Sequence, residues 1–270
     1  MTRPTVTMPD FALHHPVGGA NGTTVVLLHG AFGAKEYWRE QLQAFVQAGY
    51  RVLSWDAPGY GLSALPVPLT IDHCARALAL LLDTHGGARN VVMGHSMGGM
   101  IAQQTWRYAR ARIQGYVLSA TGPSFGSPDG EWQKEFVRDR VAPLDAGRSI
   151  PDYAPGMLRA MMAPGAHGPS VDLVVGTVSQ MREETFRAAV AAIVGFEGRD
   201  LLPTIDVPVL CIAGELDATA PAAVMQKMAN KIAGAEFASL PGLGHFGWAE
   251  DPASFNTAVF DFLTRRGFAA

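Results

Sequence analysis

This sequence predicts an α/β fold, a mostly parallel central sheet with helices on both faces. Three observations predict it. Short apolar runs alternate with helix-compatible stretches along most of the chain. Those runs show almost no polar alternation, as expected of strands covered on both faces. One of them passes into a helix through Gly94-His95-Ser96-Met97-Gly98. Regular exchange of strand and helix is the mark of βαβ units.

The elements follow in order. The stretch before Thr23 is the least regular, so an opening hairpin there is short. Residues 24–28 are the first clear strand. Residues 36–48 read as helix, with Trp38, Leu42, Phe45 and Val46 on one face. Residues 51–55 are the next strand, and 71–84 a helix closed by Gly86-Gly87. Residues 90–93 form the strand that leads into Ser96, and 115–120 a further strand. Between 121 and 202 the alternation breaks. Helical segments near 131–141, 155–162 and 183–194 are separated there by Pro and Gly. A buried strand at 207–213, a helix near Pro221, a strand at 235–240 and helical sequence from about Asp251 complete the chain.

Strand, G-x-S-x-G, helix is the setting of a nucleophile elbow. The chain must reverse sharply after the strand, and glycines two residues either side of Ser96 remove the clash that side chains would cause. The serine hydroxyl then stands clear of the sheet, with the Met97 amide facing whatever it attacks. A serine needs a base, and the base needs an acid to orient it. Downstream, Gly214-Glu215-Leu216-Asp217 follows a buried strand, which makes Asp217 the first candidate for the acid and Glu215 the alternate. His245 lies in the glycine-rich loop after the last strand, the place for the base. His29 and His95 read as structural residues.

Bulk properties set bounds. At 270 residues, the chain suits one domain with an insertion. The net charge of −3, with Lys and Arg scattered, gives no basic surface for nucleic acid or an anionic membrane. No apolar run approaches the ~20 residues that span a bilayer. No signal peptide is read at the N-terminus, and a cytoplasmic protein is expected. Cys74 and Cys211 fall in predicted core elements and make no disulfide framework. The histidines share no metal-ligand spacing, so neither a metal nor an organic cofactor is expected.

Taken together, these motifs resemble the α/β-hydrolase family over nearly the whole chain, from about Thr23 onward. His29-Gly30-Ala31-Phe32-Gly33 is similar to the family's oxyanion loop, and Asp56-Ala57-Pro58-Gly59-Tyr60-Gly61-Leu62-Ser63 to its D-x-x-G-x-G-x-S loop. Gly244-His245 followed by Glu250, Pro252 and Phe255 is similar to its histidine loop. Within the family the chain resembles 3-oxoadipate enol-lactonases and related esterases and carbon–carbon bond hydrolases. The resemblance implies an α/β-hydrolase fold with a helical cap inserted after the sixth strand. The cap would be residues 122–202, and the core 1–121 with 203–270. It also implies an oxyanion site made by the backbone amides of Met97 and Ala31, with Phe32 as the alternate second donor. The insertion and the loop near Trp38 are expected to form an apolar pocket, with Trp38, Met157 and Met161 in its wall.

The function expected is hydrolysis of a small ester or lactone with an apolar body, through an acyl-enzyme on Ser96 with Asp217 and His245. Two other readings compete: a carbon–carbon bond (vinylogous diketone) hydrolase, and a hydrolase-fold ligand receptor with little turnover. No nucleic acid or membrane partner is expected, and the chain would act as a monomer or homodimer.

Overall fold

The computed structural model describes residues 6–20, 22–127 and 129–269. Seven strands form one sheet in the order β1-β3-β2-β4-β5-β6-β7. They are β1 (Phe11–His14), β2 (Thr23–Leu28), β3 (Arg51–Trp55), β4 (Arg89–His95), β5 (Gly115–Ser119), β6 (Val209–Gly214) and β7 (Glu236–Leu240). β1 pairs antiparallel with β3, and every other pairing is parallel. The central strands β2, β5 and β6 are buried at every position. That explains why their sequences are continuous apolar runs rather than alternating ones.

Helices α1 (Arg39–Gln47), α2 (Ile71–His85), α3 (Met97–Ala109), α8 (Ala222–Ala229) and α10 (Pro252–Arg265) cover the sheet, and the single turn α9 (Gly247–Glu250) leads into α10. α2 packs on α3, and α1 on α10. Thr70 caps α2 by accepting the His73 amide, and Asp251 caps α10 by accepting that of Ser254. The predicted helix at 36–48 is divided: a single 3₁₀ turn, Lys35–Trp38, precedes α1. The exposed edge at β7 is blunted by charge, since Glu236 pairs with both Arg265 and Arg266.

Between β5 and β6 the chain makes a long helical excursion. It contains α4 (Glu131–Asp145), α5 (Ile150–Ala160), α6 (Pro169–Val178) and α7 (Glu183–Val194). Counted from β1, the excursion follows the fifth strand. The expected opening hairpin contributes one strand here, and residues 1–5 lie outside those described. α5 packs on α6, and α4 on α7. The excursion leaves and rejoins the core through a narrow neck. Ser124 bridges Glu197, the Phe125 amide donates to the Phe196 carbonyl (3.2 Å), and Gly198 donates to Pro123 (2.8 Å). α6 was not among the helices expected from sequence. Among the described residues, no helix is long and apolar enough to cross a membrane.

Parallel strands all point the same way, so the loops leaving β4, β5, β6 and β7 emerge side by side at one edge. That edge carries Ser96, Ala120, Asp217 and His245. Ser96 and Ala120 are the non-glycine residues with left-handed φ among those described, at 53° and 46°. Strain of this kind costs about 1–3 kcal/mol per residue and collects at functional sites.

Candidate active site

Ser96 sits between β4 and α3 at φ 53° and ψ −119°. The turn is possible because the neighbouring backbone approaches too closely for side chains. A Cβ on Gly94 would run into the Gly98 carbonyl and come within 2.7 Å of the Gly99 nitrogen. One on Gly98 would meet the Leu28 carbonyl of β2 and lie 2.7 Å from that of His29. The Ser96 amide donates to the Ser119 carbonyl of β5 (2.9 Å), and its own carbonyl accepts from Thr121 Oγ1 (2.7 Å). Both neighbouring strands therefore fix the turn. Ser96 keeps part of its surface exposed, whereas His95 and Met97 are buried.

Asp217 and His245 meet as the sequence expects. His245 Nδ1 lies 2.8 Å from Asp217 Oδ2, and both side chains are almost fully buried, at 2% and 0% exposure. A carboxylate only accepts, so Nδ1 carries the hydrogen and Nε2 is the free basic nitrogen. Asp217 Oδ1 takes the amides of Thr219 (2.8 Å) and Ala220 (2.9 Å). Burial opposes the charged carboxylate, but the His245 ring and these amides outweigh it and hold its pKa below the ordinary value. Its contribution to stability is thus complete above the unfolded carboxyl pKa of about 3.9. That contribution fades as pH falls through the lower folded value. Glu215, the alternate acid, is exposed and accepts the Gly242 amide instead (2.8 Å), so the structure gives the histidine contact to Asp217.

Ser96 and His245 open into the same cavity of about 350 Å³. They are not hydrogen-bonded to each other; such contacts are often loose without substrate. The cavity wall is mostly apolar, with Phe125, Trp132 and Phe136 from the excursion facing Val224 of α8. Trp38, Met157 and Met161 do not line it, which corrects the expectation from sequence. Trp38 is fully buried against Trp248, with ring centroids 4.5 Å apart. Met157 packs against the core. Met161 is occupied elsewhere: its carbonyl accepts the His245 amide (2.8 Å), and its Sδ lies 3.7 Å from Arg140 Nη2. The true wall was partly readable, because Trp132 and Phe136 are spaced i, i+4 on α4.

The loop after β2 is braced on all sides. His29 Nδ1 donates to the Gly30 carbonyl (2.8 Å), while its Nε2 accepts the Ala57 amide (3.0 Å), which fixes the tautomer. Gly30 donates to Tyr37 Oη (2.6 Å), and Tyr60 Oη donates to the Ala31 carbonyl (2.8 Å). Lys35 joins Asp10 and Asp56, and its amide donates to Asp56 Oδ1 (2.9 Å). Among the described residues, the amides of Ala31 and Phe32, and that of Met97 at the start of α3, have no acceptor. His95 lies beside His245, ring centroids 4.9 Å apart. Burial first, then the neighbouring His245 and His29, push its pKa far down, so it is neutral.

One residue that sequence reasoning gave no role holds the histidine loop. The Glu250 carboxylate accepts three backbone amides: Ala163 (2.8 Å), Gly244 (2.9 Å) and Phe246 (2.9 Å). It thereby ties the loop bearing His245 to the end of α5. Gly244 must be glycine here, since a Cβ would lie 2.6 Å from the Ala163 nitrogen.

A profile of the alpha/beta hydrolase family matches residues 25–258. The chain belongs to that family. It is 30% identical over 260 residues to "Putative carbamate hydrolase RutD" of Variovorax paradoxus, covering 94% of this chain and 96% of that one. It is 26% identical over 267 residues to 3-oxoadipate enol-lactonase 2 of Acinetobacter baylyi, covering 97% and 96%. A thermophilic esterase from Thermogutta terrifontis superposes with a TM-score of 0.81 at 25% identity, over 94% of this chain and 93% of that one.

Glu250→Ala should lower stability by about 1–3 kcal/mol, the cost of leaving a buried amide without its acceptor. Glu250→Gln keeps one acceptor oxygen and should lose less. Urea unfolding midpoints of the two variants check this, and an unshifted midpoint for the alanine variant would refute it.

Proposed function

We propose that this protein is a serine hydrolase of small esters or lactones that works through an acyl-enzyme on Ser96. The observation that carries the reading is the buried Asp217–His245 hydrogen bond, which leaves Nε2 as the free base at the cavity that Ser96 enters. In the first half-reaction His245 Nε2 takes the Ser96 proton as Oγ attacks the carbonyl carbon. The negative oxygen of the tetrahedral intermediate is held by the amides of Met97 and Ala31, with Phe32 the alternate donor. Each such donor is worth about 3–4 kcal/mol in the transition state. His245 then protonates the leaving oxygen. In the second half it takes a proton from water, which attacks the acyl carbon, and returns that proton to Ser96. Asp217 holds the imidazole tautomer and stabilises the imidazolium throughout.

In this reading residues 122–202 are a cap over the strand ends, and the rest is the core. The aromatic residues that the excursion adds to the cavity wall support that division. The names of the relatives agree with acyl transfer, and a carbamate carbonyl is open to the same attack.

Ser96→Ala should leave folding unchanged and reduce turnover on the best ester about 10³-fold or more, since the glycines rather than the hydroxyl shape the turn. A fluorophosphonate should add to the peptide carrying Ser96 in the wild type and not in the variant, as read by mass spectrometry. Substantial residual turnover in purified Ser96→Ala would sink the covalent route.

Asp217→Asn should lower kcat by roughly 10⁴-fold, because the amide favours the wrong histidine tautomer. Glu215→Gln should change it little. Steady-state rates on one ester decide between them, and equal losses would reassign the acid. A screen of aryl esters, enol-lactones, carbamates and vinylogous diketones tests the substrate class. Diketone cleavage far above ester cleavage, or tight product retention after one turnover, would favour a competing reading.

A further inference from the structure

The loop Asp56-Ala57-Pro58-Gly59-Tyr60-Gly61-Leu62-Ser63 stands out in the sequence, yet no step of the proposed reaction uses it. Its Tyr60 is buried and does not line the cavity that Ser96 and His245 enter. Tyr60 Oη donates to the Ala31 carbonyl (2.8 Å) and lies 4.0 Å from Met97 Sδ. One hydroxyl therefore touches both Ala31 and Met97, the residues whose amides frame the oxyanion site. Burial pushes its pKa well up, so the hydroxyl keeps its proton and remains a donor.

A trans peptide is planar, so its C=O and N–H point in opposite directions. The 31–32 peptide is trans, and holding its carbonyl at Tyr60 aims the Phe32 amide the other way. The preceding peptide is held likewise. The Gly30 carbonyl accepts from His29 Nδ1 (2.8 Å) and from the Gly33 amide (3.2 Å), which aims the Ala31 amide. The two anchors share a footing. Ala57 gives its amide to His29 Nε2 (3.0 Å) and its carbonyl to the Tyr60 amide (2.8 Å), and the two rings meet with centroids 4.5 Å apart. The Gly59 carbonyl, in the peptide that enters Tyr60, accepts Thr185 Oγ1 and Arg182 Nη2, each at 2.7 Å. Tyr60 is thus fixed at its main chain and at its hydroxyl. A buried N–H without an acceptor is costly, so the free amides at 31 and 32 favour any turn of the peptide that finds them one. A pinned carbonyl opposes that turn.

We infer that Tyr60 is a positioning residue for the oxyanion site, acting through the Ala31 carbonyl. This rests on the reading of Ser96 as nucleophile and assigns the hydroxyl a part in that reaction. The hydroxyl keeps the 31–32 peptide from turning over, a movement that would take the Phe32 amide out of line and bring a carbonyl oxygen toward the developing negative charge. Donors already aimed need no rearrangement when that charge forms, which is the source of their effect on rate. Tyr60 touches no substrate, so its contribution falls on the transition state and leaves substrate affinity alone.

The test is Tyr60→Phe, which removes the hydroxyl and keeps the ring against His29. Its kcat on p-nitrophenyl butyrate should fall about tenfold, the size of one hydrogen bond and short of the ~10²–10³ that outright loss of a donor costs. KM should stay as in the wild type, because both half-reactions form an oxyanion and slow together. A second readout needs no turnover. A butyl trifluoromethyl ketone takes Ser96 Oγ at its carbonyl carbon: the C–O bond forms, the carbonyl π pair moves onto oxygen, and His245 takes the serine proton. That oxygen occupies the oxyanion site, so the Ki should rise in Tyr60→Phe by the factor that kcat/KM falls. The pH at which the rate rises should be the same in both proteins, since the Asp217–His245 pair is untouched. Unchanged kcat and Ki, a loss confined to KM, or a shifted pH profile would each overturn the assignment. A purely structural Tyr60 would show a lowered Tm with kcat and Ki intact, which also overturns it. If Tyr60→Phe does not fold, the double variant Thr185→Val with Arg182→Met frees the Gly59 carbonyl, keeps the hydroxyl and carries the same test. Its kcat and Ki should move in the same directions, and unchanged values there would overturn the assignment. Fluorophosphonate labelling separates the two readings. Labelling of the wild type with kcat and Ki unmoved in Tyr60→Phe sinks the positioning role alone, and absence of both labelling and turnover sinks the nucleophile.

Discussion

The site depends on backbone packed against backbone at the edge where the parallel strands end. Gly98 lies against the carbonyls of Leu28 and His29, Gly214 against those of Leu243 and Gly244, and Gly244 against the chain at Met162 and Ala163. No side chain fits at these contacts, so β2, β4, β6 and the histidine loop approach as bare chain. This closeness lets one turn hold Ser96 at a left-handed φ and lets the loop after β7 place its imidazole against the carboxylate after β6. A protein interior is dense enough to pass such constraints from one element to the next without slack.

Much of this was legible in the sequence, for identifiable reasons. The strand at residues 51–55 was located to the residue, because its buried run Val52-Leu53-Ser54-Trp55 carries no charge and stands between two helical stretches. Ser96, Asp217 and His245 could be read because each follows such a strand and the topology brings those ends together. α6 was missed because its sequence, Pro169–Val178, mixes β-branched residues with a glycine and follows a helix pattern weakly. Trp38 was misplaced because an aromatic near a loop can fill a pocket or the core with the same local signal. Only the ring of Trp248, far along the chain, settles which. Glu250 was read only as part of the histidine-loop motif, with no role of its own, and Arg140 gave no local signal. A charge on a helix reads as a solvated face until the fold buries it.

The buried ions are treated unequally. Asp56 is held by Lys35, and Asp217 by His245 and two amides. Arg140 has aromatic rings, a thioether and the Phe136 carbonyl of its own helix. The first two groups sit in settled networks within the core. The third belongs to the excursion between β5 and β6.

The neck at residues 123–125 and 196–198 brings the two ends of the excursion together whatever its length. Closing a longer loop there adds little entropic cost, since that cost grows only with the logarithm of length. Docking onto the histidine loop uses a carbonyl at position 161 and an amide at position 163, both main-chain atoms. Main chain is common to nearly all residues. The excursion can therefore be rewritten in sequence, or exchanged for another of different size, and still seat itself against the same imidazole. A fold arranged in this way separates the inheritance of its chemistry from the inheritance of its taste in substrates.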